Sequence, residues 1–434
     1  MKTARKIAMF GTFDVPNYGD CIFPDIVRHR LGVLGNDVEL TLYSPAGRVS
    51  PIGSYDEVRE IPGSLDEVES IEADACLIAG GEVLVDRPTT TGVYADLPRN
   101  QLSAGPRCWL VPAHLAATRG LPLAYVSVGQ HGLRQPSIDA LRHAMAGASY
   151  AAVRDPFTQD VLSTNAAAPR LEPDIGFLIP TLRSPAEWDA LAAPLREAEL
   201  VPGKPYLAVQ FSAGYVSKSG DAFFAAAAEI AKARDLEILL LPLCYHLGDD
   251  YVSAIAQTRF RRAGVEASRV RLMLPTAELA AVLRAADGFV GTSLHGAMTT
   301  LAFGKPAAIF CKSNVGKHVG CMQTAGLSGI VTTEPTELAT AFATAGNLDL
   351  TSRSFALQKA AGESLDAAIR SLGQPEELTG DEPLYHAAAR ANLADIPRGP
   401  SERVKAGIYR QLRRNRRLSG YFELTKATCR ALLP

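Results

Sequence analysis

The chain has 434 residues, enough for two or three domains, and its 47% hydrophobic and 21% charged residues are a globular balance. A formal net charge of -2 gives no general attraction to nucleic acid. Its seven cysteines are widely spaced with no CxxC pair, which points to free thiols in a reducing compartment and against a structural zinc.

The basic start, Met1–Lys6, leads into Ile7–Phe10 and then Gly11. That apolar run is shorter than the roughly 7–15 residues of a signal-peptide core and reads as a first buried strand. No stretch approaches the about 18–20 apolar residues of a membrane span, so a cytoplasmic protein is expected. Further strands are predicted at Val38–Tyr43, Ala75–Ile78, Leu123–Val128 and Ala151–Val153, with helices at Asp20–Leu34, Arg107–Ala117, Pro136–Met145 and Phe157–Ser163. Ser44–Gly63 reads as loop. After a Pro-bearing linker with one helix, the alternation restarts. Strands are expected at Tyr206–Gln210, Glu237–Pro242, Val270–Leu274, Gly288–Val290 and Ala307–Phe310, and helices at Asp221–Ala233, Asp250–Ala263, Thr276–Ala285 and His295–Phe303. Another helix is read at Ser354–Leu372.

The expected architecture is α/β: two Rossmann-like domains facing a cleft, with a helical C-terminal tail. Residues 1–180 form an N-terminal domain, 181–205 a linker, 206–350 a C-terminal domain and 351–373 a helix returning to the first domain. Residues 374–434 form a basic helical tail. Its run Arg410–Arg417, flanked by Ile408, Tyr409, Leu418, Tyr421 and Phe422, fits either peripheral contact with an anionic inner membrane face or a solvated docking helix. Ligands of open parallel sheets sit beyond the carboxyl ends of the strands.

The segment Asp287–Pro306 carries the strongest chemical signal. A strand runs into Gly291-Thr292-Ser293, and the small-residue helix that follows presents N–H groups and a partial positive charge suited to phosphate or carboxylate. Thr292 and Ser293 add hydroxyls, and His295 in the first turn brings an imidazole, the side chain that trades protons near neutrality. The plainer alternative makes Thr292 or Ser293 an N-cap and His295 structural.

Other loops follow the strands. Asn17-Tyr18-Gly19-Asp20 follows the first, where Asp20 caps a helix or meets a ligand. Ala79-Gly80-Gly81 precedes Glu82 and Asp86, which bind sugar hydroxyls or form plain surface loop. His131 lies in Gly129-Gln130-His131-Gly132. His246 precedes Asp249 and Asp250, read as a helix cap at Asp249 in preference to a metal site. Lys312 and Lys317 lie in a polar loop after the last strand, and Lys305 reads as a helix-end charge. Arg154 either holds an anion or pairs with Asp155 or Asp174. No GxGxxG or GxxxxGK[ST] loop is present, so no NAD or ATP site is expected.

In this order, Asn17-Tyr18-Gly19-Asp20, Ala79-Gly80-Gly81, Tyr125–Gly129, Val153-Arg154-Asp155, Pro173-Asp174 and Gly291-Thr292-Ser293-Leu294-His295-Gly296 with Gly304-Lys305-Pro306 resemble the polysaccharide pyruvyl transferase family over roughly residues 5–335. The resemblance implies a GT-B-like fold, no cofactor or metal, and transfer of pyruvyl from phosphoenolpyruvate to sugar hydroxyls of a glycan or its lipid- or nucleotide-linked precursor. It implies catalytic roles for His295 and Arg154. Thr292, Ser293, Leu294, Gly296, Lys312 and Lys317 would face the donor, and Asn17, Asp20, Gly81, Glu82, His131 and His246 the acceptor. Many members have Arg where this chain has Ser293, which removes one guanidinium from the donor. A GT-B glycosyltransferase using a nucleotide sugar is the alternative enzyme, and a non-catalytic glycan-binding member the alternative outside catalysis.

Overall fold

A computed structural model describes residues 4–35, 38–86, 92–98, 100–212, 214, 220–312, 316–373 and 382–394. The basic run 410–417 lies outside them. The described residues fall into two compact units, one made of residues up to 15, 20–175 and 359–394, the other of 16–19 and 176–358.

Unit one is built on a parallel seven-stranded sheet in the order β3-β2-β1-β4-β6-β8-β9. Its strands are β1 Arg5–Phe10, β2 Val38–Ser44, β3 Arg59–Glu60, β4 Ala75–Ala79, β6 Leu123–Val128, β8 Tyr150–Val153 and β9 Arg170–Leu171. The short β5 Leu84–Val85 and β7 Gln130–His131 pair beside it. Every residue of β4 and β6 is buried, as expected for strands covered on both faces by helices. Helices α1 Tyr18–Cys21, α2 Phe23–Val33, α3 Ala104–Arg119, α4 Gln135–Ala146 and α5 Pro156–Leu162 follow in chain order. Trp109, Tyr125 and Leu141 share its core with Tyr385 and Ala388 of a late helix, Glu382–Ala394.

Unit two repeats the plan after α6 Pro185–Glu197, whose Ser184 and Glu187 form a capping box. Its parallel sheet has the order β12-β11-β10-β13-β14-β15, with β10 Tyr206–Gln210, β11 Glu237–Leu240, β12 Ala267–Arg269, β13 Gly288–Gly291, β14 Ala307–Phe310 and β15 Val331–Thr332. Helices α7 Gly220–Ala233, α8 Asp249–Arg262, α9 Thr276–Ala285, α10 Leu294–Ala302, α11 Gly316–Thr324 and α12 Leu338–Gly346 cover it. Phe211, Phe223, Phe260 and Phe310 lie in its core. The helix α13 Leu350–Ser371 belongs to unit two up to Gln358 and to unit one from Lys359.

Several elements differ from the sequence reading. Asp20–Leu34 is two helices, because Pro24 lacks an N–H and opens a new helix at its second position. Val270–Leu274 is not a strand. The edge strand is Ala267–Arg269, and Leu272, within the expected strand, is 55% exposed. The polar loop after the last strand becomes helical at Gly316, the helix Leu338–Gly346 is additional to the sequence reading, and Glu382–Ala394 is a helix within the expected helical tail. No described helix is long and apolar enough to cross a membrane. The six described cysteines are buried free thiols.

Candidate active site

The carboxyl ends of β10, β11, β13 and β14 carry the polar loops of unit two. Ser293 is the N-cap of α10, its Oγ accepting from Gly296 N at 3.1 Å. The cap reading is thus realised for Ser293, and Leu294 and His295 form the first turn above it. Leu294 is buried and His295 half-buried. Thr292 is fixed on several sides. Its N and Oγ donate to Gln210 Oε1 at 3.2 and 3.3 Å, and its Oγ accepts from Ser212 N at 3.1 Å. The Thr292 carbonyl lies 3.0 Å from His318 Nε2. A carbonyl only accepts, so that ring nitrogen carries the proton.

Residues 16–19, read from sequence as part of the first domain, belong to unit two. Tyr18 N donates to Leu243 O at 2.8 Å, Tyr245 N donates to Pro16 O at 2.9 Å, and Asn17 pairs with Cys244 in an antiparallel bridge. The fully buried Tyr18 hydroxyl meets Thr299 Oγ on α10 at 2.8 Å. These bonds seat Gly19 against the imidazole of the signature turn. A Cβ added at Gly19 would fall 2.1 Å from His295 Nδ1, so only glycine fits. Asn17, Thr292, Ser293, His295 and Gly296 therefore share one small region. His246 is in the same loop as Cys244, with Nδ1 at 3.2 Å from the thiol sulfur. Lys312 follows β14 and is exposed, while Lys317 is half-buried in the first turn of α11. Lys305 lies 3.9 Å from Asp287 at the opposite end of the strands.

Asp249, read as a helix cap, does something else. The residue before α8 is Gly248, which offers no side-chain cap. Asp249 Oδ2 accepts from Gln210 Nε2 at 2.7 Å, Cys244 N at 2.9 Å and Leu243 N at 3.2 Å. Burial pushes its carboxyl up to about 7, against the pull of those three donors. The folded state therefore holds a proton that the unfolded chain releases near the ordinary value of 3.8, so this group's contribution falls as pH rises from about 4 to 7 and is constant above. Asp249→Asn is expected to remove that slope. Melting temperatures read from about pH 4 to 8 should show the difference, variant minus wild type, growing in the variant's favour up to about pH 7 and then levelling.

Unit one gathers a second polar cluster at the ends of β4, β6 and β8. Gly80 and Gly81 turn with φ of +71° and +83°, a region open to glycine and strained for other residues. Asp20 Oδ1 lies 3.3 Å from where a Gly81 side chain would begin. Asp20 is not a helix cap, since the N-cap of α2 is Ile22. Glu82 lies 3.8 Å from the exposed His131. Asp20, Gly81, Glu82 and His131 thus form one group. Asp86 is not surface loop: it is buried and takes Arg134 Nε at 2.8 Å.

The ion-pair alternative for Arg154 is realised, with Nη1 at 2.9 Å from Asp174 Oδ2 and both side chains buried. Burial pushes the adjacent Asp155 carboxyl up, while Arg154 and Thr158 pull it down. The Arg154 charge is met by the Asp174 carboxylate in this buried pair. Arg154→Met, which leaves Asp174 buried without this cation, is expected to destabilise by about 3–5 kcal/mol, and Arg154→Met/Asp174→Leu to recover most of it in denaturant unfolding.

Comparison with known proteins places this geometry. No curated protein matches the chain. Among solved structures, the UDP-N-acetylglucosamine 2-epimerase from Rickettsia bellii is 11% identical with a TM-score of 0.52, covering 85% of this chain and 96% of its own. The UDP-GlcNAc 2-epimerase from Methanocaldococcus jannaschii is 11% identical with a TM-score of 0.51, covering 85% and 99%. The complex of that enzyme with UDP-GlcNAc and UDP is 11% identical with a TM-score of 0.50, covering 84% and 99%. At such identity the likeness is one of fold, and it makes the chain an α/β protein of the GT-B-like class. The family model described as polysaccharide pyruvyl transferase matches residues 17–310, from the Asn17 loop to the end of β14. The chain belongs to the polysaccharide pyruvyl transferase family.

Proposed function

We propose that the protein moves the pyruvyl group of phosphoenolpyruvate onto two hydroxyls of a saccharide, closing a cyclic ketal and releasing phosphate. Family membership supports the reaction class. The observation that carries the reading is the seating of Gly19 on the His295 imidazole at the N-terminus of α10. It joins an acid/base group to a helix end suited to an anion.

In this reading the α10 N-terminus with Thr292 and Ser293 holds the donor anion, and Lys312 and Lys317 add positive charge. His295 exchanges the proton. The donor methylene gains a proton and becomes the methyl group of the ketal. Each of the two sugar hydroxyls forms a C–O bond to the neighbouring carbon and loses its proton. The C–O bond to phosphate breaks and the electron pair leaves with the phosphate. Of the two hydroxyl protons, one is balanced by the new methyl hydrogen and the other by the released hydrogen phosphate. Arg154 is assigned to the framework of unit one, since its charge is met by Asp174.

Ser293, in place of a guanidinium, favours one other donor, a nucleotide sugar whose diphosphate would sit on the same helix end. Thermal shift with phosphoenolpyruvate and with UDP-GlcNAc separates the two. Stabilisation by phosphoenolpyruvate that is lost in His295→Ala supports the proposal, and stabilisation by UDP-GlcNAc alone contradicts it.

A further inference from the structure

We propose that Gln210 and Asp249 are positioning residues of the reaction, setting from beneath the sheet ends the placement of both segments that flank His295. The inference rests on the functional reading above.

Gln210 ends β10, and its amide is polarised by its neighbours. Nε2 donates to Asp249 Oδ2 at 2.7 Å, while Oε1 accepts from Thr292 N and Oγ. A flipped amide would set Nε2 against the Thr292 N–H, so this orientation is the one the surroundings accept. Gln210 is 3% exposed and Asp249 1%, so bonds between them face no competition from water. Asp249 also holds the amides of Leu243 and Cys244. That loop in turn grips residues 16–18 through Tyr18 N, Tyr245 N and the Asn17–Cys244 bridge. One carboxylate oxygen thus anchors two branches. The first runs through Gln210 to Thr292, three residues before His295. The second runs through Leu243 and Cys244 to Tyr18, one residue before Gly19. Both branches close on the imidazole, because Gly19 and His295 are in contact.

Neither residue is in the signature turn, and the bonds described for their side chains go to each other, Thr292, Leu243 and Cys244. Their effect is therefore on geometry, and the turnover step is where a small misplacement is felt. Gln210→Met tests this. It keeps the volume, leaves the Leu243 and Cys244 amides on Asp249, and preserves the main-chain bond from Thr292 N to Gln210 O. The expected result is a kcat roughly tenfold lower or more with KM for phosphoenolpyruvate changed by less than about threefold. The expected spectroscopic sign, recorded without substrate, is a displaced His295 ring resonance in NMR spectra of 15N-histidine-labelled protein. Gln210→Asn, too short to span from Asp249 to Thr292, should give the same result if the Met variant does not fold. A folded variant with wild-type kcat and an unmoved His295 resonance overturns the proposal. If the wild type turns over no phosphoenolpyruvate, the functional reading fails, and the ring resonance alone still decides whether Gln210 positions His295.

Discussion

Gly19→Ala is expected to lower kcat/KM by about a hundredfold or more, a large effect for a single methyl group. The added carbon would lie 2.1 Å from His295 Nδ1, 2.8 Å from Cγ and 3.0 Å from Cε1. Carbon atoms of folded proteins rest at roughly 3.5–4.0 Å, so the ring or the backbone has to move by about 1–2 Å. The backbone is held by Tyr18 N on Leu243 O and by the Tyr18 hydroxyl on Thr299. The imidazole therefore yields. Overpacking of this kind costs roughly 1–3 kcal/mol of stability, small enough to leave the protein folded. In a His295→Ala background the clash is absent, and the same Gly19→Ala change should cost little in melting temperature. A double-mutant cycle measures that non-additivity. Additive losses would mean that Gly19 acts elsewhere than on the ring.

His295→Gln is expected to reduce kcat by roughly 10²–10⁴-fold, the usual worth of a positioned acid/base group. Glutamine keeps a polar side chain in the first turn of α10 and cannot exchange a proton near neutrality. The substitution leaves the helix end, the donor site of the proposed reaction, in place, so KM for phosphoenolpyruvate should change far less than kcat. The half-buried position predicts a modest stability change. Steady-state phosphate release over a range of phosphoenolpyruvate concentrations separates the two constants. A variant with wild-type kcat and raised KM would recast His295 as a binding group.

Much of the fold was legible because parallel strands buried on both faces read as short apolar runs. Tyr206–Gln210 and Ala307–Phe310 were bounded to the residue. The local build of the Thr292–Gly296 turn was legible for the same reason, since strand, capping hydroxyl and small-residue helix are contiguous. What escaped depends on partners far away in sequence. Asp249 looks like a cap when only its neighbours are considered, and its real partners include Gln210, 39 residues earlier. The ion pair of Arg154 with Asp174 was one of two open readings, and it forms with both side chains buried. Residues 16–19 looked like part of the first domain by continuity. Their place in unit two follows from Tyr18, whose bonds reach Leu243 and Thr299. The edge strand was set three residues too late at its start and five at its end, because the apolar residues of Val270–Leu274 look like a strand although pairing with β11 stops at Arg269.

In the proposed reaction the donor is phosphoenolpyruvate and its carbon skeleton ends on a sugar. Phosphoenolpyruvate labelled with 13C at C2 tests it, incubated with the wild-type protein and a panel of pyranosides and lipid-linked glycans. The label is expected to move to a quaternary carbon bonded to two sugar oxygens, with one phosphate released for each transfer and both slowed roughly 10²–10⁴-fold in His295→Gln. Label remaining in phosphoenolpyruvate while UDP is released from UDP-GlcNAc on the same panel would contradict it.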